Sequence, residues 1–196
     1  MDESVSGCWT NHHSIIQFRN QWYLFYHDKD YSPRFDKARS IRLDSLSFND
    51  DGTIRKVIPT LRGAGLTNAS EKIQVDRYTQ ISGSGVAIDF LDTLDRFKGW
   101  KTSFTTAGAW VQYNSVDFGK KKLKNITINS QSEKGGVLQI RVNSVDGSLL
   151  SEVNIAPGSN WVTIKNALSR SQKGVKHLFV VSKSDSPIAV DWISFE

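Results

Sequence analysis

Cysteine is almost missing from this chain. Cys8 is the only one among 196 residues, so no disulfide can form within it. That suits a cytoplasmic protein and equally a secreted bacterial one. There is one methionine, and long stretches rich in alanine, leucine or glutamate are absent, as is any clear 3.6-residue period, so helices are not expected. No apolar run approaches the roughly 18 residues of a membrane span, and no membrane partner is expected. The opening Met1-Asp2-Glu3-Ser4-Val5-Ser6-Gly7 lacks the charged-then-apolar pattern of a signal peptide. A Gly-rich phosphate loop, a Cys/His cluster with zinc spacing and a nucleophile elbow are all missing.

What is present reads as strands. Val, Ile, Thr, Phe, Tyr and Trp recur in short runs separated by Gly, Asn, Asp and Ser. Hydrophobic residues make up 38% and charged ones 23%, enough for a folded core. The formal net charge is +5, yet the lysines form no stripe. Their densest cluster, Lys120, Lys121, Lys122 and Lys124, follows Phe118-Gly119 at an expected turn. It reads as a solvated turn, and no nucleic-acid partner is expected.

The chain divides into unequal halves. Ser14 to Phe18 and Gln21 to His27 predict a hairpin turning at Arg19-Asn20. Ala38 to Leu43 gives a third run. Phe48 to Ile54 gives an Asp-Gly turn and a fourth short strand, ended by Pro59. Four such strands have the form of one propeller blade. A lone blade cannot hide both faces of its sheet, so Ile15, Phe18, Trp22, Leu24 and Phe25 predict a missing partner surface. Residues 1–62 are therefore assigned to a partial blade, 63–70 to a small, polar linker and 71–196 to a second domain. In that domain the expected strands are Ile73 to Thr79, Gly85 to Phe90, Ala109 to Tyr113, Lys124 to Ser130, Val137 to Val142, Ser151 to Ile155, Trp161 to Lys165, Gly174 to Val181 and Ala189 to Phe195. Turn signals at Gly135-Gly136, Asp146-Gly147 and Pro157-Gly158 separate several of them. Leu138-Gln139-Ile140-Arg141-Val142 alternates as a half-buried strand should. The fold class is all-β, a jelly-roll β-sandwich preceded by a partial β-propeller blade.

Two sets of motifs carry a family resemblance. Gly7-Cys8-Trp9-Thr10-Asn11-His12-His13-Ser14-Ile15, then Gln21 to His27, Arg39-Ser40-Ile41 and Phe48 to Ile54, resemble the last blade of a glycoside hydrolase family 43 propeller. Ser103 to Tyr113, Val116-Asp117-Phe118-Gly119, Gly135 to Val142, Asn160-Trp161 and Val190 to Phe195 resemble a family 6 carbohydrate-binding module. The first resemblance implies a parent enzyme, an inverting xylosidase or arabinofuranosidase that is secreted or periplasmic in a bacterium, whose other blades are missing partners of this chain. Its catalytic carboxylates would lie on those earlier blades, so none is assigned here. Asp28, Asp30 and Asp36 read as a wet loop. His12 or His13 would face the propeller axis, and Arg39 resembles a substrate-contacting arginine.

The second resemblance implies binding of oligo- or polysaccharide of the xylan or arabinoxylan type, without catalysis. Two aromatic platforms are carried over, Phe104 before Trp110, and Trp161 after Pro157-Gly158-Ser159-Asn160. Trp100 is a substitute platform for Phe104, Asn160 a polar partner, and Trp110 and Trp192 are expected in the core. The family often has asparagine where this chain has Ala189, which opens the alternative of a structural sandwich that binds no sugar. The resemblance also implies a structural calcium ion. Gln74 and Asp76 stand for the acidic pair of the first strand, on one face by strand alternation, and Asp191 supplies the other end. The competing reading pairs Asp76 with Arg77 or a nearby lysine and leaves Asp191 to cap a turn.

Overall fold

The computed structural model describes residues 12–28 and 40–196. The chain forms two compact units, 1–64 and 65–196.

In the first unit β1 (Ser14–Phe18), β2 (Gln21–Asp28) and β3 (Ser40–Leu46) make an antiparallel sheet in that order. The hairpin closes at Arg19 and Asn20, whose φ angles of 49° and 62° are those of a type I′ turn, the form that matches strand twist. The expected fourth strand is reduced to one bridge between Phe48 and Ile54. Asp51 accepts from the amide and hydroxyl of Thr53, so this segment closes as a tight side-chain-capped turn. Both sheet faces keep apolar surface, with Phe18 58% and Ile41 85% exposed on one and Ile15 39% exposed on the other. One face is pinned through a buried carboxylate. Asp44 accepts from the Tyr26 hydroxyl at 2.5 Å and from the Thr60 hydroxyl at 2.6 Å. Thr60 in turn accepts from the Gly63 amide at 2.9 Å, which ties the exit of this unit to its sheet. Asp30, Asp36, Arg39 and Gly7 to Asn11 lie outside the described residues.

The second unit begins earlier than the expected boundary. β4 (Thr67–Asn68) pairs in parallel with β9 (Trp110–Asp117), and Ala69 is fully buried. The end of the stretch read as a linker is thus part of the sandwich. The remaining strands are β5 (Ile73–Gln74), β6 (Gln80–Ile81), β7 (Val86–Phe90), β8 (Trp100–Phe104), β10 (Asn125–Ser132), β11 (Gly136–Val142), β12 (Ser148–Ile155), β13 (Gly158–Ala167), β14 (Val175–Ser182) and β15 (Ile188–Phe195). A single 3-10 turn, Arg96–Lys98, interrupts the described strands.

These strands form two sheets. The first has the order β13-β10-β15-β8-β7, with β5 on β15, and the second β12-β11-β14-β9-β4, with β6 on β9. Alternation sends Val111, Tyr113, Leu138, Ile140, Leu178 and Val180 from the second sheet, and Phe104, Ile126, Ile128, Val190 and Ile193 from the first, into one core. The residues between them face outward. The pattern is regular enough in β9, β11 and β14 to present a defined outer face, and it is there that the useful chemistry collects.

Candidate functional site

The residues expected to bind sugar do not come together. Phe104 closes β8, a strand not among those expected from the sequence, and is paired on both sides by Val86 and Ile188. It is fully buried, so it has no ring face to offer a sugar and is a core residue. The loop after it is tied down by Thr105 N–H to Gly85 C=O at 2.9 Å and by Gly108 N–H to Ser182 C=O at 2.8 Å. Trp100 opens the same strand, some four residues or about 13 Å from Phe104, and stacks on Phe90 with centroids 4.2 Å apart. It cannot substitute at the other end. Trp161 is half-buried and Asn160 exposed, both near the start of the edge strand β13. Gln131 reaches this edge by donating its amide to the Ser159 carbonyl.

The proposed ion ligands are also rearranged. The first-strand segment ends at Gln74, and the Arg77 amide closes a turn on the Gln74 carbonyl at 3.0 Å. Gln74 is therefore exposed while Asp76 is buried, and the two do not share a face. Asp76 pairs with Arg77 at 3.2 Å. Asp191 lies near enough for its carboxyl to feel Asp76. Burial, and to a smaller degree the Asp76 charge, push the Asp191 carboxyl above its ordinary range, against a hydrogen bond from Asn129 and the charge of Lys72. The Asn129 amide donates to Asp191 at 3.0 Å. Among the described residues no group of three His, Cys, Asp or Glu could hold a metal. The donor set therefore fits a calcium ion only in part, since such an ion needs about 6–8 oxygens.

A better-built surface lies on the outer face of the second sheet. Register places Glu152, Gln139, Val181 and Trp110 in one cross-strand row. Arg141, Phe179, Gln112 and Gln80 form the next. Phe179 and Val181 are nearly covered and form an apolar floor. Trp110, expected in the core, instead leans on Phe179 from the outer face, with centroids 5.7 Å apart, and is itself half-exposed.

The polar groups around this floor are held in place by one another. Arg141 donates through Nε and Nη2 to the Gln139 Oε1, at 3.1 and 2.9 Å, and through Nη1 to the Gly147 carbonyl at 2.7 Å. Gln139 donates to Glu152 at 2.7 Å. Gln112 donates to Asn114 at 2.6 Å. A fixed ring, an apolar floor and a rim of planar hydrogen-bonding groups match the C–H faces and hydroxyl rims of sugars. The signal was in the sequence. Trp110 has the same parity as Gln112, and Gln139 and Arg141 are the wet positions of the clearest alternating strand.

Residues 78–196 match the family described as carbohydrate binding module (family 6). The chain belongs to this family. An arabinoxylan arabinofuranohydrolase of Bacillus subtilis (strain 168) is 26% identical over 183 residues, which cover 86% of this chain and 34% of the relative. The chain spans about a third of the length of the curated relatives it matches first. In structure, a glycoside hydrolase family 43 arabinoxylan arabinofuranohydrolase from Bacillus subtilis, in complex with cellotetraose, aligns over 95% of this chain and 40% of its own. The TM-score is 0.66 and the identity 22%. The family 6 module CsCBM6-3 from Clostridium stercorarium, in complex with cellobiose, aligns over 67% of this chain and 97% of its own, with a TM-score of 0.60 and 23% identity. At these identities the two structures speak for the fold. The first spans both units, and the second has the size of the sandwich alone. No helix among the described residues is long and apolar enough to cross a membrane.

Proposed function

We propose that this chain binds polysaccharide of the xylan or arabinoxylan type, without catalysis, as the appended module of a glycoside hydrolase. The observation that carries the reading is the locked array of Arg141, Gln139 and Glu152 beside Trp110. Side chains already fixed before binding lose little freedom when a sugar arrives. The xylan type is suggested by the named substrate of the Bacillus subtilis relative. The same name suggests an arabinofuranosidase as the parent enzyme, and we propose that the parent is a xylosidase or arabinofuranosidase with further propeller blades that acts outside the bacterial cytoplasm. The exposed apolar faces of the first unit support blades as its missing neighbours.

Affinity electrophoresis of the full chain in gels containing soluble arabinoxylan tests the binding. Retardation in the native chain, and its loss in Arg141→Ala, is the expected result. Free migration through arabinoxylan, xylan and β-glucan alike would leave the sandwich a structural role.

A second contact at Trp161 and Asn160 is favoured by the half-open indole at the β13 edge. It offers one ring, where the expected cleft had two. We also propose a weak calcium site between Asp76 and Asp191, completed by main-chain carbonyls. Its support is the approach of two carboxylates in partly buried surroundings, an arrangement a hard cation relieves.

A further inference from the structure

A cleft of about 460 Å³ opens at the end of the second sheet, where the parallel strands β4 and β9 finish side by side. Its accessible apolar surface comes mainly from the exposed Leu66, with the buried Phe118 and Leu123 also in its lining. Its rim carries Asn68, Ser70, Lys120 and Lys121. The backbone here is fixed. Ala69 N–H donates to the Asp117 carbonyl at 2.9 Å, Phe118 N–H to the Gly174 carbonyl at 3.0 Å and Gly174 N–H to the Gly119 carbonyl at 2.9 Å. Asp117 is the one acidic residue of the lining, and its Oδ1 accepts from the Gly119 amide at 2.8 Å. Lys120 and Lys121 are exposed and form no ion pair among the described residues. Two ammonium groups against one carboxylate leave the cleft with a positive excess, and an apolar surface suits the C–H face of a ring.

We infer that this cleft takes a sugar acid, a pyranose ring carrying a carboxylate such as a uronic acid branch on a polysaccharide. The ring lies against the exposed Leu66, and the carboxylate meets Lys120 and Lys121. The hydroxyls find Asn68 and Ser70. The inference rests on the reading of the module as polysaccharide-binding, and it adds acidic substituents to the substrate class. It also gives a purpose to the lysine cluster, which as a bare turn would need no concave, apolar surface beside it. Size agrees, since small-molecule sites begin near 300 Å³.

The test is amide NMR of the full chain, titrated with glucuronate, with glucose and with acetate. Glucuronate is expected to shift the amides of Ser70, Gly119 and Lys121, glucose to leave them still, and acetate to act at least tenfold more weakly. Lys120→Ala with Lys121→Ala should weaken the glucuronate response at least tenfold and leave retention on neutral arabinoxylan unchanged. Acetate equal to glucuronate would reduce the cleft to a general anion site and overturn the inference. So would glucose equal to glucuronate, a response that survives the double variant, or none at all. Retention on arabinoxylan without a glucuronate response sinks this inference alone. A glucuronate response without retention on arabinoxylan sinks the proposed polysaccharide face and leaves the sugar-acid cleft standing.

Discussion

Trp110 rests against Phe179 with ring centroids 5.7 Å apart and planes inclined at 56°. The partner is nearly covered, so it fixes the indole from below and leaves part of it open above. Beside the pair, the Arg141 guanidinium is held flat by Gln139 and Gly147. A stacking platform and a donor fork are thus assembled before any ligand is present.

Trp110→Ala should weaken xylo-oligosaccharide binding about tenfold or more, roughly 1.4 kcal/mol for one lost aromatic contact. Arg141→Lys keeps the charge and loses the planar fork, so it should weaken binding as well. Calorimetry on variants with native circular dichroism is the measurement. Full affinity in both variants would move the site to the Trp161 edge.

Phe104→Ala should act on stability and spare the sugar site. Removing a fully buried phenylalanine costs about 3–5 kcal/mol in the usual case, so the melting point of the sandwich should fall steeply. Phe104→Leu retains most of the volume and should bind sugar like the native chain. Normal stability with lost binding would restore Phe104 as a platform.

That contrast shows where the sequence was readable. Alternation in β11 and the turn glycines placed most of the sandwich strands within a few residues. β8 is not among the strands expected from the sequence. Phe104 is turned inward between Val86 of β7 and Ile188 of β15, and the second of these is distant in sequence. The expected pairing of Gln74 with Asp76 is lost for a related reason. Residues 74 and 76 share a face only while the chain stays extended, and the turn closed by the Arg77 amide breaks the alternation. Trp192 was expected in the core. It lies instead at a β-bulge, where Asp191 and Trp192 together oppose Asn129. Its indole is half-buried under the Lys72 ammonium, 4.2 Å from the ring centroid.

The chain should not hydrolyse aryl xylosides or arabinosides. Glycoside hydrolysis needs two carboxyl groups placed across the bond, and the sequence supplies no such pair that the family resemblance would assign. Release of nitrophenol by purified protein, above a blank from a mock purification, would contradict this.

Asp44→Ala should loosen the first unit. It removes the carboxylate at which the Tyr26 and Thr60 hydroxyls both point, and a hydrogen bond to a charged group contributes about 1.5–3 kcal/mol. The exit segment around Thr60 should then become the fastest site of limited proteolysis. Cleavage in the sandwich before this segment would show that the pin is not what holds it.

Asp191 gives stability a pH dependence with an unusual sign. Burial and the Asp76 charge raise its carboxyl above the unfolded value. The folded state therefore holds this proton more readily than the unfolded chain. By linkage, the contribution is most favourable below the unfolded pKa and is lost as pH rises through the folded one. At neutral pH the ionised group is under strain, moderated by the Asn129 hydrogen bond and by Lys72. Asp191→Asn removes the charge and can keep a hydrogen bond to Asn129. Without calcium it should melt at or above the native temperature at neutral pH, and the difference should close as the pH falls through the carboxylate range. Calcium reverses the comparison. An ion bound only to the folded state raises the melting point of the native chain and has one ligand fewer in the variant. Melting curves of both proteins, with millimolar calcium and with chelator, separate the two effects. A native chain indifferent to calcium would remove the ion. An Asp191→Asn variant that melts well below the native chain in chelator would mean that the charge stabilises the fold.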